Sequence, residues 1–149
     1  MLMAGVAAGA AALLCALARW YLERTSLRPA KGEHKGAVLC PLYNAGAGFG
    51  LEWLRGRWLI AASAAAIAVL AEMLRRARHP LTRIGVGLAL GGGISNLWER
   101  ARYGRVFDYI RFPRAPGRTG RLVFNLADFA VLTGVGLLLV GSFRRKKER

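Results

Sequence analysis

The sequence predicts an α-helical integral membrane protein with four transmembrane helices. Hydrophobic residues make up 54% of its 149 residues and the mean hydropathy is +0.29, a profile of small polytopic membrane proteins. Four apolar runs of about 17 to 22 residues are each long enough to cross a hydrocarbon core as a helix. The charge is strongly basic, 23 Lys and Arg against 8 Asp and Glu, and much of it falls between or after those runs, where lipid head groups would meet it. The whole chain, 1–149, reads as one membrane domain.

The first span is placed at about 1–18, a stretch without a charged side chain. Ala16-Leu17-Ala18 before Arg19 resembles a signal-cleavage site, but the start MLMAGVAAGA lacks a basic side chain, so a retained span is expected. The second span is placed at about 58–74, where Glu72 is the only charge, and the third at about 81–98, with Arg83 at its edge. The fourth, about 122–143, carries only Asp128. The second and fourth runs have almost no polar face, unlike a soluble amphipathic helix.

Basic density sets the orientation. The turn RRARHPLTR between spans two and three has four arginines in nine residues, and the tail RRKKER has five basic residues in six. Both lie on one side of a four-span protein, which the positive-inside rule makes cytoplasmic. The longer connections, about 19–57 and 99–121, then face outward, and connections of this length in a small membrane protein usually carry function.

Several function classes lack their parts. No helix-turn-helix, zinc or RNA-recognition pattern supports nucleic-acid binding. No H-E-x-x-H or G-x-S-x-G is present, and His34 and His79 are the only imidazoles. No metal or cofactor is expected. Cys15 lies in an apolar run and neither it nor Cys40 belongs to a C-x-x-C pair, so no disulfide framework is expected. Nothing points to an oligomer, and a monomer is expected.

The polar residues worth attention cluster at the outward span ends. CPLYNAGAGFG brings Asn44 next to Gly46, Gly48 and Gly50, glycines that let backbone come close to a ligand or another element. In GGGISNLWERARYG, Asn96 and Arg100 are four apart and share a helix face, with Trp98 suited to the head-group layer. Asp108 sits in RVFDYIRF, an alternating stretch that reads as a short strand. Asp128 opens the fourth apolar run, where an ionisable residue marks a functional site or a structural ion pair, with Arg100 as the obvious partner.

Asp108 and Asp128 are the only aspartates in the chain. Two carboxyl groups brought together at a membrane surface do not both ionise easily, so one keeps its proton. Such a pair can activate water and protonate a leaving amine, which is amide hydrolysis without metal, serine or cysteine.

Together these residues resemble a known family. NAGAGFG at 44–50, GGGISNLWER at 91–100, VFDYI at 106–110 and FNLAD at 124–128 are similar, in order and spacing, to the motifs of lipoprotein signal peptidase, or signal peptidase II. The resemblance implies an aspartic endopeptidase of the bacterial cytoplasmic (inner) membrane with its active site toward the outer face. Its partners would be membrane lipid and prolipoproteins carrying a diacylglyceryl cysteine, whose signal peptide is cut just before that cysteine. It implies a small extracytoplasmic β-rich platform, a catalytic pair at Asp108 and Asp128, and substrate-binding residues at Asn44, Gly46, Phe49, Asn96, Arg100 and Asn125.

Two stretches depart from the pattern. The family has a short Asp-containing motif ending in Lys near the outer end of span one, where this chain reads ALARWYLERTS. The third motif ends in Asp-Arg, where this chain has Glu99-Arg100. The competing reading is a non-catalytic relative or a structural membrane protein that uses Asp128 in an ion pair.

Overall fold

A computed structural model describes residues 1–25, 36–46 and 56–147. Helix α1 spans Leu2–Arg24 and runs past the expected end at residue 18. Alanine-rich sequence favours the helix, and Arg19 and Glu23, one turn apart, pair at 3.0 Å across the extension. Strand β1 is Val38–Asn44. Helix α2, Gly56–Arg76, ends where Arg75 and Arg76 both donate to Glu72.

Helix α3, Pro80–Tyr103, has the sequence punctuation of a helix at both ends. His79 caps its start by accepting the Leu81 N–H at 3.2 Å, and Pro80 fills the first turn, where no N–H is needed. Gly104 ends it in the left-handed conformation, φ +70°, which a side chain would oppose. Strand β2 follows at Val106–Arg111, then a short 3-10 helix at Gly117–Arg121, strand β3 at Val123–Phe124 and helix α4 at Leu126–Lys147.

The three strands form one small antiparallel sheet in the order β1-β2-β3, the β-rich element expected beside the helices. Two further boundaries differ from the sequence reading. The fourth apolar run begins as strand rather than helix, because Val123 and Phe124 pair with Arg111 and Ile110. The third helix continues to Tyr103, five residues beyond its apolar stretch, carrying Glu99 and Arg100 on helical backbone instead of a loop.

Among the described residues, α1, α2 and α4 are long and apolar enough to cross a membrane, with mean hydropathies of 1.8, 1.6 and 1.9. Their large side chains lie outside: Leu2 is 81% exposed, Trp58 65% and Phe143 72%. Water would oppose that arrangement and hydrocarbon favours it. Helix α3 is as long but less apolar, and it sits at the centre, packed against α1, α2 and α4.

Glycine makes the central position possible. A β-carbon at Gly85 would lie 2.6 Å from the Gly134 carbonyl oxygen of α4, and one at Gly92 would lie 2.5 Å from that of Ala127. Gly87 meets the Ala4 carbonyl of α1 in the same way at 2.5 Å. Helices without a hydrophobic force between them in lipid pack by such backbone approach.

Gly85→Ala is therefore expected to lower the thermal midpoint in detergent by roughly 3–10 °C. Gly136→Ala, where an added methyl meets nothing within 4 Å, is expected to leave it unchanged or slightly raised. Equal shifts in the two variants would sink the close-approach account.

Candidate active site

The site is built where the sheet meets the C-terminal end of α3 and the start of α4. FNLAD supplies its foundation. Asn125 precedes the first residue of α4, and its side-chain oxygen accepts the Asp128 N–H at 3.1 Å. Asp128 Oδ2 accepts the Asn125 N–H at 3.0 Å in return. This is a reciprocal capping box, so the start of α4 and the rotamer of Asp128 are fixed together.

The remaining amide groups complete the link. Asn96 Nδ2 on α3 donates to Asp128 Oδ1 at 2.9 Å. Asn125 Nδ2 donates to Asn96 Oδ1 at 3.0 Å and to Asp108 Oδ1 at 2.8 Å. Asn44 Nδ2 donates to Asp108 Oδ2 at 3.1 Å. Asn44 pairs with Val106 in the β1–β2 register, which places it diagonal to Asp108 on the same face of the sheet. The Gly46 N–H donates to Asn44 Oδ1 at 2.9 Å, so the Asn44 amide is held from both ends.

Asp108, Asp128, Asn44, Asn96 and Asn125 thus form one hydrogen-bonded cluster, with Gly46 contributing backbone. Arg100, one turn beyond Asn96, reaches the Asn96 carbonyl at 3.5 Å, and its Nε is buried without a hydrogen-bond partner. No ion pair joins Arg100 to Asp128 among the described residues; the Asp128 carboxylate is held by amides. Phe49 lies outside the described residues, as does His34. His79 is at the opposite end of α3, capping its start. Cys15 and Cys40 are free.

Three features of the site were not anticipated from the sequence. Tyr109 accepts the Leu126 N–H at 3.1 Å and ties β2 to the first residue of α4. Glu99 is buried and accepts the Phe107 N–H at 2.9 Å, one residue before Asp108. Arg19 Nη1 lies 2.9 Å from that same Glu99 oxygen, an ion contact outside hydrogen-bond alignment. The capping box had a sequence signal, Asn-x-x-Asp before an apolar run. Arg19 and Glu99 had none, since nothing local joins α1 to α3.

The two carboxyl groups differ in environment. Asp108 is 3% exposed and Asn125 5%. Burial, with the charge of Asp128 adding to it, pushes the Asp108 carboxyl up to about 6 against the hydrogen bonds from Asn44 and Asn125. Asp128 sits instead at a helix N-terminus. A carboxyl group that keeps its proton up to about pH 6 can serve as an acid.

Comparison with known proteins agrees with this architecture. A profile of the family described as Signal peptidase (SPase) II matches residues 6–144. A lipoprotein signal peptidase from Methylorubrum extorquens is 39% identical over 107 residues, covering 69% of this chain and 61% of the relative. One from Symbiobacterium thermophilum is 41% identical over 103 residues, 66% of this chain and 65% of the relative. One from Nitrobacter hamburgensis is 37% identical over 127 residues, 75% and 76% of the two chains. The chain thus spans less than two thirds of the first two relatives' length. A solved bacterial membrane enzyme superposes with a TM-score of 0.82 at 15% identity, over 100% of this chain and 92% of the other. A second gives 0.76 at 17% identity, over 94% and 92%. At these identities the likeness is one of fold, and with the apolar helices it makes the chain an integral membrane protein.

The Asp108 carboxyl has a consequence for stability. Unfolded, it releases its proton near 3.9, and folded near 6, so the folded state holds the extra proton between those values. Stability from this group is full below about pH 4 and is lost as pH rises to about 6, on the order of 3 kcal/mol in all. Asp108→Asn removes that loss. The variant's thermal midpoint relative to wild type is expected to rise steadily from pH 4 to pH 7, whatever the constant offset from its changed hydrogen bonds. A difference independent of pH would show that Asp108 ionises as it does in water.

Proposed function

The chain belongs to the signal peptidase II family, and we propose that it is an aspartic endopeptidase that removes the signal peptide of diacylglyceryl-modified prolipoproteins, cutting before the lipidated cysteine. The observation that carries this reading is the position of Asn125, hydrogen-bonded to both carboxyl groups at the head of an apolar helix. A substrate that is itself a membrane helix with a lipid beside the scissile bond needs a site at the hydrocarbon boundary, and a polar cluster at the head of the apolar helix α4 supports that reading.

In the proposed cycle, Asp128 is the base and Asp108 the acid. Water attacks the carbonyl carbon, Asp128 takes the water proton, and Asp108 gives its proton to the carbonyl oxygen. Collapse of the tetrahedral intermediate breaks the C–N bond. The amine then leaves with the proton from Asp128, and Asp108 recovers one from the hydroxyl. Asn96 and Asn125 orient the carboxyl groups, Asn44 and the Gly46 N–H hold the sheet side, and Arg100 offers its unpartnered Nε–H to substrate. Phe49 is assigned to the substrate side by family likeness alone.

The same reading makes α3 a fourth span, over about 81–98, within a single domain of the inner membrane. The sheet then faces outward, and the α2–α3 turn, with Arg75, Arg76, Arg78 and Arg83, faces the cytoplasm.

Purified protein is expected to cleave a diacylglyceryl-modified prolipoprotein. Asp108→Asn and Asp128→Asn should each lower kcat by at least about 10³-fold with folded yield retained. Activity persisting in either folded variant would exclude the dyad.

In wild type, kcat/KM is expected to fall as pH rises through about 6, because the acid of the pair is then lost. A rate that climbs through this range would exchange the two roles.

A further inference from the structure

We propose that Arg19 and Glu99 form a positioning clamp for Asp108, in which Glu99 supplies the acceptor that fixes the β2 backbone at Phe107 and Arg19 holds Glu99 in place. The proposal rests on the aspartic reading above for its effect on activity, but its structural part stands on geometry alone.

The sheet leaves a gap here. Strand β3 has only two residues and pairs with Ile110 and Arg111, so it offers nothing to β2 at Phe107. The Phe107 N–H is instead bound by Glu99 Oε2 at 2.9 Å. A helical side chain thus takes the part of a missing strand one residue before Asp108. Without it, a buried N–H would be unsatisfied, and the strand would shift to find water.

Glu99 is itself restrained. Its Oε2 is 2.9 Å from Arg19 Nη1 on α1. The other edge of that guanidinium donates to Glu23 through Nε at 3.1 Å and Nη2 at 3.0 Å, and its plane lies 4.2 Å from the centre of the Tyr103 ring. Glu23 in turn accepts the Tyr43 hydroxyl at 3.1 Å. Tyr43 is the register partner of Phe107, and their rings stand 5.1 Å apart. The chain of contacts leaves Phe107 through α3 and α1 and returns to it through β1. Cys15, Ser95, Phe107 and Asn125 line a space beside Arg19 and Glu99 that has no room for a water molecule, and Asp108 follows Phe107 directly in the chain, so a displacement of the β2 backbone at Phe107 moves Asp108 with it.

A buried ion pair is poor value as a stabiliser, since apolar side chains of similar size often do as well. Its use here is geometric. It brings the departures at span one and at Glu99 into a single device: the long Glu99 side chain reaches β2 from the helix, and Arg19 compensates its charge.

The test separates the acceptor from the charge. Glu99→Gln keeps an oxygen for the Phe107 N–H, whereas Glu99→Met of similar length does not. Cleavage of a diacylglyceryl-modified prolipoprotein by Glu99→Gln is expected within about threefold of wild type in kcat. Glu99→Met should lose on the order of 100-fold in kcat with KM within about threefold, the size of effect a misplaced catalytic group produces. Arg19→Met, which keeps the acceptor but frees its holder, should fall between them. Amide exchange over 106–109, measured by mass spectrometry, should quicken in Glu99→Met and stay near wild type in Glu99→Gln. Equal kcat for the two Glu99 variants, or unaltered exchange in both Glu99→Met and Arg19→Met, would overturn the proposal. If wild type cleaves nothing while the exchange difference holds, the clamp stands and the peptidase reading is what fails.

Discussion

Asn125 is bonded to both aspartates at once, and the rest of the structure is arranged to let it be. Its side-chain oxygen and backbone N–H close the capping box with Asp128, which leaves its amide nitrogen free to reach Asp108 and Asn96. Two acids cannot be brought together in a poorly solvated site without donors to satisfy them. Every oxygen of the two carboxyl groups has a donor here, and none is a cation. Neutral donors fix the geometry without adding a positive charge to the site.

Bringing a strand residue and a helix residue to one asparagine requires three separate supports. Tyr109 binds β2 to the first N–H of α4. The glycines of α3 draw α1 and α4 to backbone contact, which brings Asn96 against the head of α4. The buried Glu99 closes the edge of β2 that the short β3 leaves open. The platform is small, three strands of which one has two residues, and it depends on helix side chains for the bonds a larger sheet would supply itself.

The exposed apolar flanks and the polar cluster belong to one design. Helices whose outer faces carry Leu2, Trp58 and Phe143 need hydrocarbon around them. Hydrocarbon in turn raises the cost of any unpaired polar group, which explains why the amides cluster so closely. It also explains why α3, the least apolar long helix, lies among the others with its glycines and Asn96 turned to them.

Periodicity and length were enough to find the helices, because a span of about 20 apolar residues has few other uses. The N-x-x-D start of α4 and the αL glycine ending α3 are local signals, and the alternation in VFDYI marks a strand by itself. That Asp108 and Asp128 would lie in one place was legible from their scarcity, and Asn125 bridges them. Tertiary structure alone decided the rest. Leu122–Phe124 reads as part of an apolar span, and only the exposed edge of β2 turns Val123 and Phe124 into a strand. Asp128 and Arg100 look like an ion pair on paper, but the amides of Asn96 and Asn125 reach the carboxylate first. Arg19 and Glu99 read as two unrelated departures from a motif. Their contact depends on how closely α1 and α3 approach, and that distance is set by glycines whose neighbours no local pattern names.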